Sequence, residues 1–424
     1  MKSLNEYQKY KNSEVEWLGE IPSHWEVLKL KNIVSLSKGR NAQRYNKDYV
    51  LDPLNKGEHP VYSGQTENNG VLGKINSFEY DIKSGILATT VGAKAMTPIH
   101  VKGKMSLSQN CMLITSNSKF LDNDFLYYFT DPLFSHEKNL IPDFFQPSFR
   151  IEDIKKYLIA LPTIKEQKAI ANYLDDKVGD ITDLIHTIDD QIKNLKDYKK
   201  VMIKDVITGK KILTNKSVLY KKSNVEWLGN IPNHWKTKRI KDIFEISRGR
   251  VVSKEMVLDE GEYPVYSSQT KNNGVLGYID KYDFSGEYLT WTTDGVNAGT
   301  VFIRSGKFNC TNVCGLLKLK KQYKKQFILG FLYYITKIIA KENKRDDING
   351  GKLMSNEMGN LEIFYPEETK EQEVIAEFLD DKINNIESLV KKLKEEKQNL
   401  IDYKKVLIND VVTGKIKVYN EEIN

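Results

Sequence analysis

The amino-acid sequence predicts an α+β protein made by pseudo-two-fold tandem duplication, in which two globular α/β heads are joined by two long antiparallel coiled-coil helices. Three observations predict this fold. Blocks of sequence occur twice in the same order, short β-rich runs are separated by turn residues, and two long stretches carry apolar residues every three or four positions. The chain has 424 residues, which is enough for several domains.

Three blocks of the sequence occur twice. The matching ranges are 13–40 with 223–250, 58–73 with 262–277, and 166–211 with 371–416. They share 15 identities in 28 positions, 13 in 16 and 23 in 46, which indicates a duplication of the chain. Between the blocks the copies diverge, and the segment after Arg40 is six residues longer than the segment after Arg250. A shared frame with divergent inserts is what we expect of two modules that read different targets.

The first part of each copy carries the signals of a globular head. Runs rich in β-branched and aromatic residues, bounded by Gly, Asn and Ser, predict strands. These runs are 25–30, 86–91, 111–115, 288–293 and 301–304. Helical runs are predicted near 124–129 and 327–340. We therefore expect each head to combine β-sheet with packed helices.

The second part of each copy predicts one long helix. In the first copy it runs from Lys165 to about Thr208. Apolar residues recur every three or four positions in both copies, which indicates a coiled-coil seam. Thr-Gly pairs at 208–209 and 413–414 predict the helix ends, because Gly readily adopts the left-handed C-cap conformation. At about 1.5 Å per residue, each helix would be about 60 Å long.

These elements predict a division of the chain into five parts. They are a first head at 1–163, a central helix at 164–210, a second head at 211–368, a C-terminal helix at 369–416 and a tail at 417–424. A duplicated unit usually packs about a two-fold axis, so we expect the two helices to lie antiparallel with one head at each end.

Composition excludes several classes of protein. Apolar residues make up 40% of the chain and charged residues 29%, as in a core-forming protein, and no apolar run is long enough to span a membrane. The N-terminus does not resemble a signal peptide, so we expect a cytoplasmic protein with three reduced cysteines. The net charge of +7 is compatible with a polyanionic partner without being diagnostic of one.

Motifs for catalysis and cofactor binding are absent from the sequence. There is no Pro-Pro pair of the kind that an autonomous DNA methyltransferase motif contains, no GxGxxG and no GxxxxGK[ST]. The six histidines form no metal-binding pair, and Cys310 and Cys314 have no histidine nearby. We expect no catalytic centre, no cofactor and no metal site.

Three pairs of motifs give the chain a family resemblance. They are EWLGEIPSHW (16–25) with EWLGNIPNHW (226–235), ALPTIKEQKAIANYLDDK (160–177) with FYPEETKEQEVIAEFLDDK (364–382), and DYKKVMIKDVITGK (197–210) with DYKKVLINDVVTGK (402–415). In these motifs and their order, the chain resembles the specificity subunit of type I restriction-modification enzymes.

The resemblance implies a non-catalytic, DNA-binding subunit of a restriction endonuclease and adenine methyltransferase complex. Each head would be a target-recognition domain that reads one half of a split, asymmetric site in double-stranded DNA. The paired helices would fix the gap and dock two methyltransferase subunits, through which restriction/translocase subunits join; no membrane is involved. The alternative is a duplicated coiled-coil scaffold that binds only proteins, which leaves the divergence of the heads unexplained.

Candidate DNA-binding residues shared by the copies lie at two places in each head. The first is Lys38 and Arg40, matched by Arg248 and Arg250. Gly between them permits close backbone approach and Arg can fork onto phosphate, so phosphate anchoring or a solvated turn are both open. The second is Gln65 and Thr66, matched by Gln269 and Thr270. Their donors and acceptors suit DNA, but the following Asn-Asn-Gly is equally a turn signal.

Contacts that discriminate bases should lie where the copies diverge. In the first head the candidates are Gln43, Arg44, Asn46, Lys47, Lys94, Gln146, Ser148 and Arg150. In the second head they are Ser253, Lys254, Asn297, Lys344, Arg345 and Lys352.

Other repeated residues have more ordinary interpretations. The tryptophans at 17, 25, 227 and 235 are interpreted as packing residues rather than base-stacking ones, because base readers should differ between the heads. His24 and His234 are interpreted as satisfied turn residues. The Lys-Lys pairs at 199–200 and 404–405 suit either a solvated face or protein docking.

Overall fold

The computed structural model describes residues 6–64, 67–142, 144–213, 218–223, 225–347 and 350–419. The chain forms two compact units. Unit 1 consists of Met1–Asp189 together with Lys394–Asn424, and unit 2 is Asp190–Leu393. Each unit holds one head and part of each long helix. Within the described residues, no helix is long and apolar enough to cross a membrane.

Head 1, in unit 1, is built on a six-stranded sheet. Its strands, in spatial order, are Val34–Ser37, Cys111–Ser116, Tyr80–Thr89, Pro98–Leu107, Lys56–Tyr62 and Val71–Ile75. Neighbouring strands are antiparallel, except that Lys56–Tyr62 runs parallel to Pro98–Leu107. Two smaller antiparallel pairs are Tyr10–Asn12 with Glu20–Pro22 and Glu26–Lys29 with Leu158–Leu161. The helices of this head are Lys47–Leu51, Asn123–Asn139 and Ile151–Ile154.

Head 2, in unit 2, repeats this order with its sheet divided in two. One four-stranded sheet contains Phe244–Arg248, Cys314–Leu319, Tyr288–Thr292 and Val301–Arg304; the other contains Val275–Ile279, Tyr263–Tyr266, Lys307–Cys310 and Phe284–Ser285. The division falls at Gly286 and Gly306, which both have positive φ. Smaller pairs are Tyr220–Lys222 with Asn230–Pro232, Trp235–Arg239 with Glu362–Pro366, and Arg345–Asp347 with Gly350–Lys352. The helices are Ile240–Ile243, Leu329–Asn343 and Ser355–Asn360.

The two long helices span Ile164–Ile207 and Thr369–Val412, which confirms the helical periodicity. Their segments pack antiparallel in each unit. In unit 1, Lys404 Nζ donates to Thr182 Oγ1 at 3.1 Å and Lys397 pairs with Asp189 at 2.6 Å. In unit 2, Lys199 pairs with Glu387 at 2.9 Å, and Lys211 Nζ lies 5.7 Å from the Phe378 ring. Later residues of the first segment thus contact earlier residues of the second, as antiparallel packing requires.

Each unit has one main core to which three segments contribute. In unit 1 the head packs against Ile170 and Leu174 of the first long helix and against Leu407 and Val411 of the second. In unit 2 the corresponding positions are Val206 and Met202 of the first helix and Ile375 and Leu379 of the second. Full burial of each such side chain contributes about 1.5–3 kcal/mol, so head and helix segments stabilise one another.

The strands and helices of the heads agree with the sequence prediction in kind, with shifted ends. The predicted run at 86–91 belongs to a longer strand that ends at Thr89, and Val91 makes only an isolated bridge to Ser148. The helix predicted near 124–129 extends over Asn123–Asn139, since Asp122 caps its start by accepting from the backbone of Asp124 and Phe125. The five-part division of the chain stays a prediction.

The Thr-Gly pairs end the long helices as predicted, and the glycines are needed for two reasons. Gly209 and Gly414 have φ values of +71° and +77°, which disfavour any side chain. A Cβ atom on Gly414 would also lie 2.4 Å from Pro22 and 3.2 Å from Trp25. The same atom on Gly209 would lie 2.5 Å from Pro232. Each helix end is thus packed tightly against the Ile-Pro-x-His-Trp block of a head.

We predict that Gly414→Ala destabilises the chain by about 2 kcal/mol or more, because left-handed backbone and a steric overlap both oppose the added methyl group. Gly179→Ala is the matched control: Gly179 lies inside the first long helix with nothing within 4 Å of its Cβ position, so alanine should stabilise by up to about 1 kcal/mol. Thermal unfolding followed by circular dichroism measures both. Equal shifts in the same direction would contradict this assignment.

Candidate nucleic-acid interface

One carboxylate fixes each head to the long helix that follows it. In unit 1, Glu166 Oε1 accepts from Tyr7 Oη at 2.6 Å and from Trp25 Nε1 at 3.2 Å, and its Oε2 lies 3.0 Å from His24 Nε2. Burial and the neighbouring carboxylate raise the pKa of Tyr7, so the phenol keeps its proton and donates it to Glu166. The carboxylate is 1% exposed and fully engaged.

The same joint recurs in unit 2. Glu371 accepts from Trp235 Nε1 at 3.0 Å and lies 2.9 Å from His234 Nε2. Trp25 and Trp235 are fully buried, which confirms that they are packing residues, and both histidines contact a carboxylate as satisfied turn residues should. Neither glutamate is among the residues singled out from the sequence, although both copies carry Glu-Gln in the first turn of the long helix.

The glutamine of that pair completes the joint. Gln167 accepts from the backbone N of Asp122 at 2.8 Å and donates to the carbonyls of Phe120 and Pro162 at 2.9 and 2.8 Å. Gln372 makes the equivalent bonds with Ile328, Gln326 and Pro366. Both glutamines are fully buried, so every one of these bonds replaces a bond to water. The start of each head helix is thereby tied to the start of the long helix.

The outer tryptophans, Trp17 and Trp227, are half-buried and pack against the cores of the heads. Trp17 contacts Phe129 edge-on at 5.6 Å and stacks on His136 at 5.8 Å. Lys204 Nζ lies 5.4 Å from the Trp227 ring. The four repeated tryptophans therefore belong to the scaffold, not to a base-stacking surface.

The first shared cationic turn, in head 1, is held by residues of the neighbouring strand. Glu79 accepts from the backbone N atoms of Arg40 and Asn41 at 3.1 and 2.8 Å, and Tyr80 donates to the carbonyl of Lys38 at 2.5 Å. A Cβ atom on Gly39 would lie 2.0 Å from the Leu107 carbonyl oxygen. The close approach that this glycine permits is thus to the protein's own backbone. The side chains of Lys38 and Arg40 are exposed above this turn.

The equivalent turn in head 2 uses its arginines differently. Arg248 Nε donates to the Asn312 carbonyl at 2.5 Å, and Arg250 Nε pairs with Asp283 at 2.7 Å. Asp283 occupies the position of Glu79 at the 204-residue offset between the copies. This acidic position was also missed by the sequence analysis, because it lies beyond the shared block and carries Glu in one copy and Asp in the other.

In head 1 the fold brings four divergent candidates onto one surface. Val91 bridges to Ser148, Gly92 N donates to the Pro147 carbonyl at 3.0 Å, and Phe149 N donates to the Thr90 carbonyl at 2.7 Å. The turn after Val91 therefore lies beside the segment 146–150. The side chains exposed there are Lys94, Gln146, Ser148 and Arg150.

In head 2 the corresponding turn, at 294–297, contacts the strand pair Arg345–Asp347 and Gly350–Lys352. Asp294 bridges to Lys352, and Gly295 N donates to the Gly351 carbonyl at 2.9 Å. Asn297 Nδ2 donates to the Ser268 carbonyl at 3.0 Å, which joins this turn to the loop that carries Gln269 and Thr270. Lys344 follows the helix Leu329–Asn343, and Arg345 forms an ion pair with Glu357 at 2.9 Å.

Several candidates have local structural roles. Asn46 caps the helix that starts at Lys47, Arg44 lies 4.5 Å from the Tyr49 ring, and Gln269 donates to the Val275 carbonyl inside its own loop. Gln43, Lys47, Thr270 and Ser253 are exposed, and Lys254 begins a short 3-10 helix, Lys254–Met256. Gln65 and Thr66 lie outside the described residues.

The Asn-Asn-Gly segments form a left-handed turn in both heads. Asn68 and Asn69 have φ/ψ of 49°/42° and 50°/36°, followed by Gly70 at φ +77°. Asn272, Asn273 and Gly274 repeat these angles closely. Left-handed backbone costs about 1–2 kcal/mol for an ordinary residue, and Asn and Gly tolerate it best. The backbone of this segment is therefore a turn, and its exposed asparagines remain candidates for contact with DNA.

The repeated lysines of the long helices differ in their surroundings. The first of each pair is engaged between helices: Lys199 with Glu387, and Lys404 with Thr182, where burial lowers the pKa of Lys404. The second of each pair, Lys200 or Lys405, faces solvent beside an acid three residues earlier. Large apolar side chains are exposed at matching places in both copies, namely Tyr198, Val201 and Leu184 and their equivalents Tyr403, Val406 and Leu389.

We predict that Glu79→Ala increases amide hydrogen exchange at Arg40 and Asn41 by about tenfold, because each backbone N–H loses a charge-assisted hydrogen bond. Glu58→Ala, at an exposed glutamate of the same head, is the control and should leave exchange at both amides unchanged. Hydrogen exchange followed by mass spectrometry of the peptide across this turn measures the effect. Unchanged protection in Glu79→Ala would show that the turn is held by other contacts.

Comparison with known proteins covers most of the chain. Residues 22–194 and 232–398 match the family model of the type I restriction modification DNA specificity domain. A putative type I specificity subunit of Mycoplasma pneumoniae is 32% identical over 277 residues, which cover 64% of this chain and 94% of the relative. The putative type I restriction enzyme MjaX specificity subunit of Methanocaldococcus jannaschii is 25% identical over 450 residues, which cover 98% and 99%.

A solved structure shares the fold. A chain from a structure of the type I R-M system, concerned with its complex assembly and conformational transition, superposes with a TM-score of 0.69 at 13% identity, covering 92% of this chain and 98% of its own. The family model matches both copies of the repeat and well over half of the chain. The chain therefore belongs to the family of type I restriction-modification DNA specificity subunits.

Proposed function

We propose that this chain is the DNA sequence-specificity subunit of a type I restriction-modification complex and that each head reads one half of a bipartite, asymmetric site. One observation carries this proposal: two heads with the same frame carry different polar side chains at the same pair of adjoining segments. Head 1 exposes Lys94, Gln146 and Ser148 there, whereas head 2 carries the half-buried Asn297 and Lys352, the latter bridged to Asp294. Side chains of this kind distinguish base pairs in the major groove, so unlike sets favour unlike half-sites.

The shared cations suit the part of DNA that does not vary. Lys38 and Arg40 in head 1 and Arg248 and Arg250 in head 2 stand at equivalent positions of the two copies, and all four are exposed. Phosphate contacts position a protein on the duplex and carry no sequence information, so they are the contacts that two heads of different specificity would retain. We therefore assign these residues to the sugar-phosphate backbone.

The long helices would set the gap and dock the methyltransferases. Each copy of the helix exposes the same apolar set, with Tyr198 and Val201 in one and Tyr403 and Val406 in the other. Two equal surfaces favour two equal partners, as two methyltransferase subunits would be. Restriction/translocase subunits would then join through the methyltransferases, and the adenine methylation and the cleavage would belong to those partners.

The rival function is a scaffold that binds only proteins. It would account for the helices and their exposed apolar residues, but it gives no reason for shared cationic turns and divergent polar segments in the same heads. A gel shift with the co-purified methyltransferase separates the two. The proposal expects host-genome fragments to stay bound in excess random-sequence duplex; a complex that assembles but retains no fragment at low salt would favour the scaffold.

We predict that Arg40→Gln makes the plot of log affinity against log salt shallower by about 0.9, the value for one lost phosphate contact on duplex DNA. Arg250→Gln should have a smaller effect, because Arg250 already pairs with Asp283 whereas Arg40 faces the Tyr80 ring at 5.2 Å. Lys11→Gln, in the separate strand Tyr10–Asn12, is the control. Anisotropy titrations of the assembled complex at several salt concentrations measure the slopes. A changed base preference at unchanged slope would mean that these arginines read bases.

We predict that four residues inserted after Lys193 lengthen the gap in the recognised site by roughly two base pairs. Four helical residues add about 6 Å, and base pairs rise about 3.4 Å. Some affinity should be lost, since four residues turn the helix by about 40° whereas two base pairs turn DNA by about 70°. The methylome of a host that expresses the variant gives the new gap, and the same residues appended after Asn424 are the control. Efficient methylation with the parental gap would assign the spacing to the partners.

A further inference from the structure

Head 2 contains a buried arginine that has no charged partner among the described residues. Arg304, the last residue of the strand Val301–Arg304, is 2% exposed, and its Nε and Nη1 atoms make no hydrogen bond. Its guanidinium lies between two rings, with Cζ 3.6 Å from the centre of Tyr266 and 4.3 Å from that of Phe302. No carboxylate pairs with Arg304 among the residues that the structure describes.

Such an arrangement is costly in the free protein. A buried charge without a counter-charge loses its hydration, and aromatic faces return only part of that energy. The Tyr266 phenol and the Cys310 and Cys314 thiols favour the charged form of Arg304, but burial outweighs them and lowers the pKa of Arg304. An anion brought by a ligand would supply both the missing charge and the missing acceptors.

The fold of the head does not require this charge. Strand register makes Val101 of head 1 the counterpart of Arg304 of head 2. Val101 pairs with Gly85 across the sheet of head 1, and Arg304 pairs with Tyr288 at the equivalent place in head 2. Val101 is buried in a purely apolar cluster, against which Tyr62 packs as the counterpart of Tyr266. The same site is therefore filled by a neutral side chain in head 1 and by a cation in head 2.

The guanidinium of Arg304 lies against the left-handed Asn-Asn-Gly turn of head 2, at 272–274. A Cβ atom on Gly274 would come within 2.9 Å of Arg304 Nη2. The same loop receives the Asn297 side chain on the Ser268 carbonyl, so it adjoins the divergent segments of head 2. The orphaned cation is thus placed behind the surface that the proposed function assigns to DNA.

We propose that Arg304 binds a backbone phosphate of DNA seated on the loop 266–274, which gives head 2 a buried ionic contact that head 1 lacks. This inference rests on the proposed function, because it takes the ligand to be duplex DNA. Phosphate is assigned rather than a base edge because the bases are neutral and the unmet requirement of Arg304 is a negative charge. On binding, the phosphate oxygens accept from the Nε and Nη1 groups of Arg304, which have no acceptor among the described residues of the free chain.

The test compares salt dependence and stability in the same variants. Arg304→Met removes the charge and keeps most of the volume; Arg304→Val places in head 2 the side chain that head 1 already accommodates. With random-sequence duplex and the methyltransferase complex, both should bind about tenfold more weakly at low salt, with a slope shallower by about 0.9. Arg304→Lys, which retains the charge, should keep the parental slope. The thermal midpoint of the free chain should not fall in Arg304→Met. Arg239→Met, at an exposed arginine of the same head, is the control.

The outcomes are distinct. A parental slope in Arg304→Met and Arg304→Val would overturn the phosphate assignment while leaving the proposed function intact. A lower thermal midpoint with unchanged slope would make Arg304 a purely structural stacking residue. If the parental complex itself binds no duplex, the proposed function and this inference both fail.

Discussion

The rest of the structure depends on one carboxylate in each unit. Glu166 and Glu371 hold the indole of a buried tryptophan and the neighbouring histidine, and thereby fix the first turn of a long helix to its head. Removing such a carboxylate would leave the buried indole N–H unsatisfied, and in unit 1 the Tyr7 hydroxyl as well, which costs about 1–3 kcal/mol for each group. The same tryptophan contacts the glycine that ends the other long helix. Head, helix start and helix end therefore meet at one point in each unit.

This joint separates what the copies must share from what may differ. The repeated Ile-Pro-x-His-Trp, Glu-Gln and Thr-Gly motifs all lie at it, and each has a steric or hydrogen-bonding reason to be retained. The segments around 91–94 and 146–150, like those around 294–297 and 350–352, are fixed mainly through backbone bonds. Backbone bonds leave side chains free, so these segments accept new residues without loss of the frame. A protein that must read two different half-sites from one scaffold needs this separation.

The sequence predicted features that depend on local periodicity and turn chemistry. The long helices, their glycine ends and most strands followed from the three-to-four repeat, the left-handed preference of Gly and the β-branched runs. It did not predict contacts between residues far apart in the chain, such as Glu79 under the Arg40 turn or Glu166 at Trp25. Asn46 is a candidate base reader by its place in a divergent segment, but its side chain caps a helix that the sequence pattern does not predict. Arg304 went unnoticed because neither its burial nor its lack of partners is visible in the sequence.

The central claim is that two heads of one frame read two unlike half-sites. Single-molecule methylome sequencing of a host that carries the complex, beside the same host with this gene deleted, tests it most directly. The account predicts one methylated motif that disappears on deletion and consists of two different specified half-sites separated by a gap without base preference. A motif that is continuous or palindromic, or methylation that persists unchanged without the gene, would contradict it.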